Sequence, residues 1–342
     1  MRRGPDQTGR HVVPALPHLR AVIMVTGAAG FIGSVLVGYL NEAGRDDLIL
    51  VDHFSGADRD QHLRGKRYAA RVERDRLADY LSTAGGQVEA VFHLGANTDT
   101  SEVDRGLLER LNLRPSQQLW AFCTSKGIPL IYASSASTYG DGALGYDDRH
   151  DIVNDLAPLN AYAQSKQDFD QWALRRNEQP PFWAGLKFFN VYGPNEDHKG
   201  KMASVVFHAF HQISRTGRMR LFRSHRSDVA DGEQSRDFVY VRDVCDVMLW
   251  LFRERPASGL YNVGSGEARS FGDLARAVFA ALDKPVLIDY IDTPLEIRDA
   301  YQYYTRADLA KLRAAGYAKP STSLEDGVEE YVTQFLSRGV AC

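Results

Sequence analysis

Thr26-Gly27-Ala28-Ala29-Gly30-Phe31-Ile32-Gly33 is the stretch on which the reading of this chain turns. Before it stands the short apolar run Ala21-Val22-Ile23-Met24-Val25. After it an apolar pattern of helical period runs from 31 to 43, closed by Gly44 where a helix C-cap belongs. Strand, glycine turn and helix are therefore expected in that order. Glycines at i, i+3 and i+6 let the backbone turn tightly and let an anion approach the helix N-terminus. Unpaired N–H groups and the helix dipole favour negative charge there. A glycine triplet alone serves equally well as a plain turn. Its place directly after the first strand favours a cradle for a dinucleotide pyrophosphate, with Gly27, Gly30 and Gly33 as its hinges.

Working outward, apolar strand-like runs recur at 48–51, 88–94, 129–133 and 182–191, with helical patterns at 103–125 and 162–175. This alternation predicts βαβ units and an α/β, Rossmann-type, doubly wound parallel sheet. After Gly193 the rhythm breaks. Gly, Pro, His and Lys crowd 193–201, a helix follows with Val205, Val206, Ala209 and Ile213 on one face, and 224–235 reads as a polar loop. A strand at 238–241 and a helix at 244–252 are expected to return to the sheet. The expected layout is a disordered extension over 1–19, a dinucleotide-binding domain over 20–192 with segments of about 236–262 returning to it, and a smaller, interleaved substrate domain over most of 193–342.

Composition narrows the function classes. The 342 residues carry a net charge of −3 with no long run of one sign, which gives no nucleic-acid footprint. No apolar run is long enough for a membrane span. Cys123, Cys245 and Cys342 are far apart and fit neither a zinc site nor a disulfide framework, so a reducing cytoplasm is the expected home and no metal is expected.

Asp52 closes the second strand, where an acid commonly binds the adenosine ribose. A carboxylate there repels a 2′-phosphate and so favours NAD, while Arg59 stands near enough in sequence to offset the repulsion. Leu94-Gly95-Ala96, after the strand at 88–94, reads as a second cofactor-facing turn. Tyr162 and Lys166 stand at i and i+4, on one helix face. A phenol titrates near 10, too high for a base at neutral pH, and a neighbouring ammonium favours the phenolate. Such a pair is common by chance on exposed helices. Here it follows Ser134-Ser135-Ala136-Ser137-Thr138-Tyr139-Gly140, which follows a strand. Ser135 is the choice for a hydroxyl that shares a substrate proton with Tyr162, although Ser134 and Ser137 suit caps and turns.

On these motifs the sequence resembles the extended short-chain dehydrogenases/reductases over essentially Ala21 to Leu336. Within them it is most similar to the ADP-L-glycero-D-manno-heptose 6-epimerases. The stretches that carry this are Phe189-Asn190-Val191-Tyr192-Gly193-Pro194, His198-Lys199-Gly200, Met202-Ala203-Ser204-Val205, Phe207-His208 and Tyr301-Gln302. The resemblance implies a sugar-nucleotide epimerase with a bound nicotinamide cofactor, NADP with NAD possible. It places Phe31 and Ile32 at the pyrophosphate and Asp52, His53 and Arg59 at the adenosine end. It gives Asn112 and Lys166 to the nicotinamide half and counts Val191 among the cofactor contacts. It implies substrate contacts at Asn190, Lys201, His208, Phe222, Arg223, Ser224, His225, Arg236 and Tyr301, with Tyr162 and Lys199 as the two acid/base groups.

Three departures accompany it. Ser55 stands where relatives often have a lysine, Lys201 where they have a small serine, and the loop from Ser224 to Arg236 is longer than theirs. The resemblance further implies a homo-oligomer, pentameric in the family, with ADP-heptose as its small-molecule partner and neither nucleic acid nor membrane. Two other readings stay open: another sugar-nucleotide 4-epimerase or dehydratase, and a non-catalytic dinucleotide-binding regulatory protein. The intact Ser135, Tyr162 and Lys166 set speaks against the last.

Overall fold

The computed structural model describes residues 22–54, 60–84, 88–298 and 301–342. The extension expected over 1–19, together with Ala21, Ser55 and Arg59, lies outside the described residues. The first strand, β1 (Val22–Thr26), is buried along its whole length. Its side chains alternate between two cores: Ile23 and Val25 enter one, Val22 and Met24 the other. A strand covered on both faces has no polar face, which is why its sequence is apolar throughout rather than alternating. Complete burial of one such side chain contributes about 1.5–3 kcal/mol.

β1 is central to a parallel sheet with β2 (Leu48–Asp52), β3 (Ala70–Glu73), β4 (Val88–His93), β5 (Leu130–Ser135), β6 (Trp183–Phe188) and, much later, β11 (Gly259–Val263). The seven strands run in the order β11-β6-β5-β4-β1-β2-β3, and every neighbouring pair is parallel. The edge strand β3 escapes the sequence reading because only Val72 of its four residues is buried.

Helix α1 (Phe31–Glu42) and helix α6 (Val241–Glu254) pack on one face of the sheet. Helices α2 (Leu77–Ala84), α3 (Arg114–Lys126) and α4 (Ala161–Leu174) pack on the other. The helix expected from 103 begins as a single turn, Arg105–Leu108, passes through a widened π turn, Glu109–Leu113, and only then becomes α3. Pro115, at the start of α3, explains the widening. It has no N–H for the carbonyl one turn back, and its ring displaces that carbonyl.

The single strand expected over 182–191 is two. After β6 the chain passes Phe189, whose ring sits in a third small core with Ala136, Tyr139, Leu156 and Ala307. It then forms β7 (Asn190–Tyr192), which pairs with β10 (Phe238–Tyr240) in a separate two-stranded sheet. The strand expected at 238–241 therefore joins β7, and the late return to the main sheet is made by β11. The remaining part holds α5 (Val205–Thr216), α7 (Phe271–Ala281) and α8 (Leu324–Glu330). It also holds two small pairs, β8 (Met219–Phe222) with β13 (Ile288–Ile291), and β9 (Ser235–Arg236) with β12 (Arg269–Ser270). Its apolar side chains run without a break into the core under α1 and α6. Among the described residues no helix is long and apolar enough to cross a membrane.

Candidate active site

Two of the three glycines answer to the chain's own packing. Gly27 has φ +68°, and a Cβ there would lie 2.7 Å from the Gly95 nitrogen, because the turn presses backbone to backbone against Leu94 and Gly95. A Cβ on Gly33 would lie 2.0 Å from the Gly27 carbonyl oxygen. Gly30 is different. It is the N-cap of α1, no side chain caps it among the described residues, and the first turn holds no acid. The first N–H groups of a twelve-residue helix thus open onto the strand ends beside Phe31 and Ile32. This uncapped terminus suits a pyrophosphate, so the residues present fit a dinucleotide.

Asp52 is buried. Its carboxylate accepts the Ala29 N–H at 2.8 Å and the His53 N–H at 2.7 Å, tying the end of β2 to the glycine turn. His53 is exposed, with Nδ1 3.6 Å from the Glu73 carboxylate. Arg71 lies at the same end, its guanidinium 5.0 Å from the centre of the Phe54 ring and 2.8 Å from Asp60. It is a cation the sequence reading missed, visible only once β3 is set beside β2.

Behind Leu94, Gly95 and Ala96 runs a directed chain of hydrogen bonds. Burial pushes His93 down to about 3, so its ring is neutral. Ser116 donates to the Asn112 carbonyl at 2.6 Å and lies 2.9 Å from His93 Nε2, which therefore carries the proton. His93 Nδ1 then accepts from Thr26 Oγ1 at 2.7 Å, which itself accepts the Gly95 N–H at 3.1 Å. Asn112 sits inward on the π turn. It donates both amide hydrogens within the protein, to the Asn97 carbonyl at 3.0 Å and to Ser165 Oγ at 2.9 Å, and accepts the Asn97 N–H at 2.7 Å. It locks the turn after β4 to α4 beside Lys166.

Ser135, at the C-terminal end of β5, stands close to the Tyr162 hydroxyl on the first turn of α4. Desolvation holds that phenol above its ordinary range, and the Ser135 contact pulls it back in part. Lys166 is buried one turn on, donates to the Ala133 carbonyl at 2.9 Å, and is pushed down to about 8 by desolvation, opposed by Asp170. Ser135 also lies 2.8 Å from Ser137 Oγ and accepts the Ser137 N–H. The hydroxyl chosen from sequence therefore both caps the turn and meets the tyrosine.

The Lys199 ammonium stands 5.6 Å from the centre of the ring of Phe31, the first residue of α1. Burial lowers its basicity, opposed by the buried Glu196 carboxylate. Lys201 is exposed, 3.3 Å from Ser101 Oγ, and desolvation is the main cause of the lowering at Lys199. The turn that carries Lys199 is clasped from the glycine-turn side, where Gln61 Nε2 and His62 Nε2 hold the Asp197 carboxylate at 2.8 and 2.7 Å.

The residues expected at the substrate fall into two sets. Phe222, His225, Arg236 and Tyr301 gather: Tyr301 lies 6.3 Å from both Phe222 and His225, ring centre to ring centre, and the buried Arg236 guanidinium is 5.4 Å from its centre. Arg223 pairs with Asp292 at 3.6 Å, and the Ser224 N–H donates to Asp231, which folds the loop on itself. Asn190 and His208 are exposed, the half-buried Val191 lies between Asn190 and Tyr192 in β7, and no described contact joins Asn190 or His208 to the aromatic group. Tyr303 was missed. Its hydroxyl accepts the His225 N–H at 2.9 Å and its ring lies under Arg226, so it anchors the loop. The only sequence signal for it was Tyr301-x-Tyr303, two aromatic rings one residue apart.

The family model described as NAD dependent epimerase/dehydratase family matches residues 23–264. The ADP-L-glycero-D-manno-heptose-6-epimerase of Nitratidesulfovibrio vulgaris is 48% identical over 92% of this chain and 98% of its own length. That of Fusobacterium nucleatum is 44% identical over 93% and 98%. Among solved structures, the Helicobacter pylori ADP-L-glycero-D-manno-heptose-6-epimerase superposes with a TM-score of 0.77 at 27% identity, over 92% of this chain and 96% of that one. MoeE5 in complex with UDP-glucose and NAD gives 0.75 at 25%, over 93% and 99%.

Proposed function

The chain belongs to the NAD dependent epimerase/dehydratase family, and from that premise we propose that it is an ADP-glycero-manno-heptose 6-epimerase. It inverts C6″ of ADP-D-glycero-D-manno-heptose to the L-glycero configuration. One observation carries the reading: relatives named for this reaction match over 98% of their own length at 44 and 48% identity. The juxtaposed Ser135, Tyr162 and Lys166 supply the chemistry the reading needs.

The glycine turn, Asn112 and Lys166 would hold a nicotinamide cofactor, which would supply hydride removal from C6″ and its return to the opposite face once the ketone has turned over. Tyr162, as phenolate, takes the C6″ hydroxyl proton, and Ser135 holds that oxygen in line with the phenol. Lys166, cationic and buried, lowers the energy of the phenolate. Inversion needs a proton donor on the other face of the planar ketone, which one tyrosine does not reach. Lys199 fills that role from the α1 side, its basicity lowered by burial.

The Phe222, His225, Arg236 and Tyr301 group offers stacking surface and positive charge to the substrate's nucleotide end. NADP is the reading's cofactor, with Arg59 opposite its 2′-phosphate and Arg71 as a further cation at that end. A homo-oligomer in the cytoplasm completes it, supported by the resemblance and by three unpaired cysteines. Assaying ADP-D-glycero-D-manno-heptose beside UDP-galactose tests the assignment. Epimerisation of the heptose alone is expected, and turnover of UDP-galactose without the heptose would overturn it.

A further inference from the structure

Beneath the candidate site lies a buried ion pair that the chemistry above does not use. Asp170 stands on α4 one turn beyond Lys166, and Lys187 stands on β6; neither side chain is exposed at all. Lys187 Nζ donates to Asp170 Oδ2 at 2.9 Å and to Thr138 Oγ1 at 2.7 Å. Asp170 also accepts Ser134 Oγ at 2.6 Å and the Tyr132 hydroxyl at 3.1 Å. The sheet makes room for this contact. A Cβ on Gly185 would lie 2.4 Å from the Tyr132 hydroxyl, so glycine at that point lets the ring pass to Asp170.

The connections are specific. Ser134 is the neighbour of Ser135, Thr138 lies in the turn just after it, and Lys166 precedes Asp170 by four residues on one helix face. A single carboxylate is thus the shared reference point for both halves of the site, the β5 end and the α4 face.

We propose that Asp170 is a positioning residue for the epimerase reaction, holding the Ser135 strand end against α4 and keeping Lys166 cationic through its charge, with Lys187 setting how much of that charge Lys166 feels. The inference rests on the reading of Tyr162 and Lys166 as catalytic. The Lys166 ammonium donates to the Ala133 carbonyl on β5 and acts on the neutral His93 of β4; on α4 it stands four residues after Tyr162 and four before Asp170, and Lys187 on β6 is linked to it through Asp170. Among the described residues Asp170 is the carboxylate that acts on it, opposing the desolvation that lowers its pKa. An isolated buried carboxylate is unfavourable, and Lys187 compensates it.

The signs follow from the charges. Asp170→Asn removes the carboxylate that opposes the desolvation of Lys166, so Lys166 loses its proton at lower pH and the rate–pH profile moves down. A shift of about one pH unit or more is expected, the effect of one close opposite charge. Lys187→Met strengthens the carboxylate's hold on Lys166 and moves the profile up. Asp170→Asn combined with Lys187→Met removes both charges and moves it back toward the parent.

The test is the pH dependence of kcat for the parent and these three variants, each checked for cofactor binding and cooperative thermal unfolding. Opposite shifts in the single variants, with return in the double, support the inference. Profiles that fall in height without moving would overturn it, as would a double variant no closer to the parent than Asp170→Asn. If Asp170→Asn does not fold, the upward shift of Lys187→Met decides alone. Tyr162→Phe is assayed in parallel. Parental turnover in that variant would sink the catalytic reading itself, whereas an inactive Tyr162→Phe beside unmoved profiles sinks only the role of Asp170.

Discussion

Lys166 and Lys199 are both depressed by burial, yet their surroundings divide the labour between them. Lys166 is fixed to a backbone carbonyl one turn from Tyr162, and Lys199 stands over Phe31 at the start of α1. Tyr162→Phe should keep its cofactor and lose turnover by roughly 10²–10⁴, the range of a positioned acid/base; single-substrate kinetics with cofactor titration measures both. Lys199→Met should also fold and bind cofactor yet epimerise neither epimer, and near-parental rates there would leave Lys199 a loop residue. Arg59→Ala should weaken NADP more than NAD, and an unchanged NADP affinity would remove it from the site. His93 gives a stability test. Its folded value of about 3 lies below the unfolded value of about 6.5, so the unfolded chain binds the extra proton. Its contribution is therefore complete above pH 6.5 and falls by about 1.4 kcal/mol per pH unit as pH drops toward 3. Denaturant titrations of His93→Asn at fixed cofactor should show a shallower acid slope than the parent. Tyr162, Lys166 and Ser135 were legible in the sequence because local spacing places them, i and i+4 on one helix and a strand end before it. The run from Gly95 through Thr26, His93 and Ser116 to Asn112 was not, since its partners meet only after two strands and a helix have packed. Asp170 and Lys187 stayed hidden for the same reason: in sequence they are an ordinary helix acid and a lysine in an apolar run.

At the scale of elements, the glycine turn separates two uses of one residue type. Gly33→Ala drives a methyl into the Gly27 carbonyl and should destabilise the fold by about 1–3 kcal/mol, seen as a lower thermal midpoint even without cofactor. Gly30→Ala meets only the Gly27 oxygen, at 3.2 Å, so it should fold nearly normally and show its defect in cofactor affinity. Equal thermal losses in the two variants would contradict this division. Periodicity located β1, β2, β4 and β5 because each is buried along most of its length on both faces and reads as a mainly apolar run. The same property concealed the break at Phe189, where one apolar run serves two sheets and nothing in hydrophobicity distinguishes a residue of the main sheet from one of the third core. The widened turn before α3 had a local cause in Pro115, but a proline at a helix start reads equally as an ordinary first-turn residue.

Across the whole molecule, the core under α1 and α6 continues into the C-terminal part, so the two regions named from sequence share one interior. Their interleaving is made by β11, which lies along β6 from Gly259 beside Ala184 to Val263 beside Phe188. That pairing has a consequence for the order in which the protein is made. A chain synthesised only to residue 192 contains six strands of the main sheet, and its β6 presents an open row of amide and carbonyl groups flanked by apolar side chains. Such an edge recruits another copy of itself, the usual route to aggregation. Expressing residues 22–192 alone should therefore give insoluble or self-associated material, whereas the full chain folds cooperatively; a monomeric fragment with a sharp thermal transition would disprove this. The nascent protein must hold that edge unpaired while some seventy further residues emerge. Its vulnerable interval, when a chaperone has most to protect, closes only when Gly259–Val263 leaves the ribosome.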